Sequence, residues 1–140
     1  MPDSLYAENI LEHYHHPHHK EALTAPTITH EEINASCGDE LTIHLLMKNG
    51  TVTNVGWEGS GCAISQASMS LLSDELIGKT EKGLKEMTPA TIHSLLGIDI
   101  GPQRLQCALL SLHALKNALR KMHGEQPQEW RETLQEIPTL

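Results

Sequence analysis

Phenylalanine is absent from this 140-residue chain, and only two tryptophans and two tyrosines stand in its place. Any core must therefore be aliphatic, carried by Leu, Ile, Val, Met and Ala. No apolar run approaches the roughly 20 residues that a membrane-spanning helix requires. Basic residues are also scarce: 10 Lys and Arg face 18 Asp and Glu, a formal charge of -8 with histidine neutral. Such a surface repels phosphate backbones and anionic membrane faces, which argues against a nucleic acid or a membrane as partner. Cysteine is limited to Cys37, Cys62 and Cys107, an odd and widely spaced set that is no secreted disulfide framework. Met1-Pro2-Asp3-Ser4 lacks the basic and apolar regions of a secretory signal. A cytoplasmic protein with reduced thiols is the expectation.

The content that is present, 39% hydrophobic and 20% charged, suits one globular domain over residues 1–140, with residues 125–140 as a short tail that can add one helical turn. Asp3 or Ser4 can cap a first helix, with Leu5, Tyr6, Ile10, Leu11 and Tyr14 on its apolar side, that ends near His16 before Pro17. His13, His15, His16, His18 and His19 crowd this helix end. They read either as a metal-binding tract or, since they flank a proline and share no helical face, as solvated histidines. Lys20 to Thr29 reads as loop. A short strand is expected over His30 to Ala35, and Leu41, Ile43, Leu45 and Met47 then alternate with polar neighbours as a half-buried strand. Asn49-Gly50 supplies the residues of a type I′ turn, so Thr51 to Glu58 should return antiparallel with Val55 and Trp57 on one side.

Ile64, Ala67, Met69, Leu71, Leu72 and Leu76 recur at helical spacing over Ala63 to Ile77, and Gly78 stops the run. Thr80 can cap a short helix through Glu86, and Thr88-Pro89 another to about Leu96. After the break from Gly97 to Pro102, a clear stripe of Leu105, Ala108, Leu109, Leu112, Leu115, Leu119 and Met122 ends at Gly124. Ser111, Ala114 and Ala118 form a row of small residues beside Cys107 that would let another element come close. The fold class is therefore α+β, a three-stranded antiparallel sheet packed against several helices.

Four residues that could bind metal stand at loop or helix starts: Cys37 and Asp39 around Gly38, Cys62 before the second apolar helix, and Cys107 near the first turn of the last one. Helix starts favour thiolate over thiol, the form that binds metal or attacks sulfur. Three sulfurs and one oxygen suit zinc or an iron-sulfur cluster. The same residues also fit a plain turn at Cys37-Gly38-Asp39 and three unrelated packed thiols.

The blocks around these residues narrow the choice. Leu5-Tyr6 with Ile10-Leu11-Glu12-His13-Tyr14 and Pro17, Asn34-Ala35-Ser36-Cys37-Gly38-Asp39, Glu58-Gly59-Ser60-Gly61-Cys62-Ala63-Ile64-Ser65-Gln66-Ala67-Ser68 and Arg104-Leu105-Gln106-Cys107-Ala108-Leu109 resemble, in order, the U-type iron-sulfur assembly proteins. That group is the SufU/IscU family, which includes the amino-terminal domain of NifU. The resemblance implies that Cys37, Asp39, Cys62 and Cys107 bind zinc or hold a nascent 2Fe-2S cluster. It implies a PLP-dependent cysteine desulfurase as sulfur donor and an iron-sulfur carrier or apo-protein as recipient. Cys37 is then the candidate persulfide acceptor and Cys107 the alternative. A hard carboxylate among soft thiolates makes Asp39 the weaker ligand and the site labile.

Two departures accompany the match. Gln106 stands where the IscU branch has histidine, and Ile100-Gly101-Pro102-Gln103-Arg104 replaces its Leu-Pro-Pro-Val-Lys chaperone segment. Arg104 is SufU-like, yet the insertion that SufU members carry before the last cysteine is missing. A sulfur acceptor and scaffold, not an enzyme, is the expectation, with a zinc-dependent sulfur acceptor that scaffolds no cluster as the alternative. A purely structural zinc module should unfold without metal, which an aliphatic core of this size opposes. A thiol enzyme would need a base beside a cysteine, and His44, His93, His113 and His123 are its candidates.

Overall fold

A computed structural model describes residues 2–135 of the chain, with side chains from Ala7 onward. The expected cap at Asp3 or Ser4, the apolar contacts of Leu5 and Tyr6 and the tail beyond Gln135 lie outside what it describes. The first helix, α1, spans Pro2–His15. Three strands follow, β1 (Ile28–Asn34), β2 (Asp39–Lys48) and β3 (Thr51–Ser60), paired antiparallel in the order β1-β2-β3. Then come α2 (Ala63–Leu76), α3 (Glu81–Lys85), α4 (Pro89–Leu96), α5 (Leu105–Met122, entered through a 3-10 turn at Pro102–Arg104) and α6 (Trp130–Leu134).

Asn49 and Gly50 adopt φ of 54° and 75°, the conformation of the expected hairpin turn. The pairing then shifts register between Leu46 and Met47, as at a β-bulge. Opposed residues share a face of the sheet, so Leu41, Ile43 and Leu45 of β2 lie with Val55 and Trp57 of β3, all buried. α5 lies against β1 and β2, and α2 against β3. Leu72, Leu76, Leu109, Leu112 and Leu115 fill the space between them. Truncating any one of these leucines to alanine would cost about 2–5 kcal/mol. The small-residue row works as its composition suggests: Ser68 donates to the Ala108 carbonyl at 2.7 Å and meets the Ser111 hydroxyl at 2.8 Å, drawing α2 onto α5.

Several boundaries differ from expectation. β1 begins at Ile28, two residues early, because Ile28 pairs with Leu45 and the Thr27 N–H donates to the Leu45 carbonyl. Its register places His30, Glu32 and Asn34 on the inner face, opposite Ile43, Leu41 and Asp39. β1 therefore turns a polar row toward α5. His44, on the outer face, is buried as well, bonded to Thr29 and Glu58 on the flanking strands. The described part of the tail adds the short helix α6, and Trp130 there stacks on the His113 ring with centroids 4.1 Å apart. The segment after α1 runs along β3, where the Trp57 N–H donates to the His19 carbonyl (3.0 Å) and its indole N–H to the His18 carbonyl (2.7 Å).

Candidate metal centre

Asn34 and Asp39 face each other at the ends of β1 and β2, and the residues between them form the tip of a hairpin. Cys37 and Gly38 both donate their N–H groups to the Asn34 carbonyl, at 3.2 and 2.9 Å. Gly38 takes φ of +74°, a left-handed conformation that a side chain disfavours. The tight turn leaves Cys37 exposed at the tip, while Asp39 is 1% exposed and faces inward with Asn34.

Cys62 is the N-cap of α2, with extended backbone. Its N–H donates to Asp39 Oδ1 at 3.0 Å, and its Sγ lies 3.8 Å from Asp39 Oδ2. Gly61 makes this approach possible: a Cβ there would sit 2.3 Å from Asp39 Oδ1, and its φ of +149° is one that side chains rarely adopt. Cys107 occupies the first turn of α5. Its Sγ is 2.9 Å from the Cys37 Sγ and 3.9 Å from the Asn34 side-chain amide, which donates to it.

Ligand atoms of Cys37, Asp39 and Cys107 thus lie within 4.8 Å of one another. Cys62 joins at the edge, through Asp39. Two helix starts converge on the group and stabilise negative charge there. Burial acts the other way and pushes the Cys107 thiol far above its ordinary range, as do its hydrogen bonds with Cys37 and Asp39 and the charges of Cys62 and Asp39. Thiolates and a carboxylate this close repel one another, and a divalent cation reverses that balance. The donor set, three soft sulfurs and one hard oxygen, fits zinc or iron.

The centre opens to solvent through a cleft of about 380 Å³ lined by all four residues with Gly61, Gln103 and Arg104. A second recess of about 270 Å³ flanks Cys37 and is lined by Ser36, Pro102, Gln103, Leu105, Gln106 and Leu134. Arg104 brings positive charge to the first of these. No hydrogen bond among the described residues joins a cysteine to a histidine; His44, His113 and His123 are engaged with Glu58, Thr133 and Glu81. Asn34 and Gly61 belonged to the motif blocks without a role of their own. The signal for Asn34 was its place opposite Asp39 across a short turn.

Residues 5–129 match the family model described as the NifU-like N terminal domain. A Thermotoga maritima protein named iron-sulfur cluster assembly scaffold protein IscU is 32% identical over 134 residues, 84% of this chain and 94% of that one. A Bacillus subtilis protein named zinc-dependent sulfurtransferase SufU is 29% identical over 139 residues, 87% of this chain and 94% of that one. A solved structure from Fervidobacterium islandicum, described as an iron-sulfur cluster assembly scaffold for the SUF system, superposes with a TM-score of 0.72 at 26% identity, covering 85% of this chain and 99% of that one. On a match that runs through nearly the whole chain and both ends of the cysteine set, this protein belongs to the family of NifU-like N-terminal domains.

Proposed function

We propose that this protein assembles iron-sulfur clusters, accepting persulfide sulfur from a PLP-dependent cysteine desulfurase and holding the nascent 2Fe-2S cargo on Cys37, Asp39, Cys62 and Cys107. The observation that carries this reading is the convergence of the Cys37, Asp39 and Cys107 donors within 4.8 Å, with Cys62 bonded to the same aspartate, in an open cleft. Residues 1–140 act in it as one domain, which passes the finished cluster to a carrier or an apo-protein.

Cys37 is the exposed thiol of the set and Cys107 the buried one, which favours Cys37 as first acceptor. In that step the Cys37 thiolate attacks the terminal sulfur of the desulfurase persulfide. A new S–S bond forms on Cys37, the old one breaks, and the desulfurase cysteine leaves as thiolate. The transfer is stoichiometric, so the chain carries sulfur rather than turning over a substrate. Asn34 holds Cys107 through its amide, and Gly61 lets Asp39 approach Cys62. Zinc, when bound by these four residues, would keep the thiols deprotonated.

A second reading, zinc-dependent sulfur acceptance without cluster scaffolding, is favoured by the similarity to the Bacillus subtilis sulfurtransferase. Metal and sulfide content of protein purified without oxygen, measured with its effect on a cognate desulfurase's sulfide output, separates the two. Iron and sulfide in equal amounts, with a cluster spectrum, supports the scaffold. One tightly held zinc with strong stimulation supports the acceptor. A protein with no metal and no effect on the desulfurase would be neither.

A further inference from the structure

The histidine tract that surrounds Pro17 does not dissolve into solvent. Pro17 ends the first helix and His19 takes φ of 59°, an uncommon left-handed turn for a residue with a side chain. The chain therefore folds back on α2 instead of leaving it. His13, in the last turn of α1, and His18, after the break, come together with ring centroids 4.5 Å apart. Both approach the C-terminal part of α2. His18 Nδ1 lies 2.6 Å from Asp74 Oδ2, and His19 Nε2 lies 3.1 Å from Asp74 Oδ1.

We propose that His13, His18 and Asp74, with His19 as a further donor, form a second metal site that takes one divalent transition-metal ion of the zinc or nickel type. One ligand atom from each of the three lies within 4.8 Å of the others. Bonds of about 2.1 Å to a tetrahedral ion set donors about 3.4 Å apart, so the rings and the carboxylate need move only an ångström or so. His18 and Asp74 are half and one-third exposed and free to make that adjustment. His13 is buried and already fixed: its Nδ1 bonds the Ser70 hydroxyl at 2.7 Å, which leaves Nε2 for the ion. The same hydroxyl accepts the His18 N–H at 2.8 Å. Ligating histidines characteristically spend their second nitrogen on such an outer partner, which sets the tautomer and the ring direction.

Two imidazoles and a carboxylate are donors of intermediate hardness, unlike the thiol-rich set at the other end of the helix. Asp74 lies three turns along α2 from Cys62, about 18 Å by the rise of a helix. The two sites share no donor, and this one stands or falls apart from the proposed function. An ion here would tie α1 and the segment after Pro17 to α2, raising the melting temperature with metal concentration.

Zinc titrated calorimetrically into the full chain at pH 7.5 tests the site by difference. Wild type should bind one equivalent more than His18→Ala or Asp74→Asn, whether or not the thiols bind zinc themselves. His15→Ala and His16→Ala, which touch neighbouring exposed histidines, should keep the wild-type stoichiometry. Zinc should also shift the imidazole nitrogen signals of His13 and His18 in the wild type. Far-UV circular dichroism checks that each variant is folded. Equal stoichiometry in wild type, His18→Ala and Asp74→Asn would overturn the site and leave a metal-free clamp of histidines on Asp74. Loss of an equivalent in His15→Ala or His16→Ala would overturn it too, as diffuse capture by surface histidines.

Discussion

The seam between β1 and α5 holds two polar clusters with opposite characters. At one end, Asn34, Cys37, Asp39 and Cys107 crowd two thiols and a carboxylate together, with burial forcing the Cys107 thiol up. Farther along, Glu32 accepts from the Asn117 amide at 2.8 Å, Asn117 accepts the Gln128 N–H at 2.7 Å, and Gln128 and His113 both reach the Thr133 hydroxyl. The second cluster is closed, since donors there meet acceptors. The first gathers groups whose ionised forms repel one another, a repulsion that a cation would offset. Buried polar groups that pair donor with acceptor serve the fold, whereas ligand atoms massed beside an open cleft mark a place where something else binds.

The sharpest way to break this contrast is Cys107→Ser. It should abolish retention of zinc or a cluster, a loss of roughly 100-fold or more, while the metal-free protein melts near the wild-type temperature. A large fall in metal-free stability would mean that the thiol cluster is structural as well. Asn117→Ala should do the reverse. Stranding the Gln128 N–H and removing one of the hydrogen bonds to Glu32, which keeps His30, costs about 2–3 kcal/mol, or roughly 6–10 °C in melting temperature, and metal binding should persist. Calorimetric melting beside metal analysis reads both.

The smallest effect is one of pH. Burial holds the His113 imidazole below the ordinary 6.5, with His30 adding to the effect and Glu32 opposing it. The unfolded chain therefore takes up that proton first as pH falls through 6.5, and stability drops. Burial raises the Glu32 carboxyl, but hydrogen bonds from His30 and Asn117 and the charges of His113 and His30 outweigh it, leaving it below the ordinary 4.5. A second loss should follow below that pH. Melting temperature of the metal-free protein should fall from pH 7 to pH 5.5, with a shallower slope in His113→Gln; equal slopes would remove His113 from the account.

Much of this was legible because it is local. The Asn49-Gly50 turn, the stripe of α5 and the Thr80 cap are patterns within a few residues, and the fold class follows from them. Cys62 and Cys107 could be placed at helix starts for the same reason. What brings Cys107 to Cys37 across 70 residues is the packing of α5 on β1, and no local pattern contains it. The inward row of His30, Glu32 and Asn34 was hidden likewise, since its partners lie on α5, with Asn117 85 residues from Glu32. The proline that made the histidine tract look dispersed is what returns His18 to His13. Past Gly124 the signal is weak because a single tryptophan stacked on a histidine has no periodicity.

The segment from His18 to Glu21, laid along β3, has a consequence for solubility. A three-stranded sheet has two edges, and an uncovered edge is a template for another chain's strand. By supplying the His19 carbonyl to the Trp57 N–H, this segment occupies part of that template from within. Proteolytic removal of the first 21 residues would bare it, and intermolecular strand addition leading to aggregates would become the competing fate of the sheet.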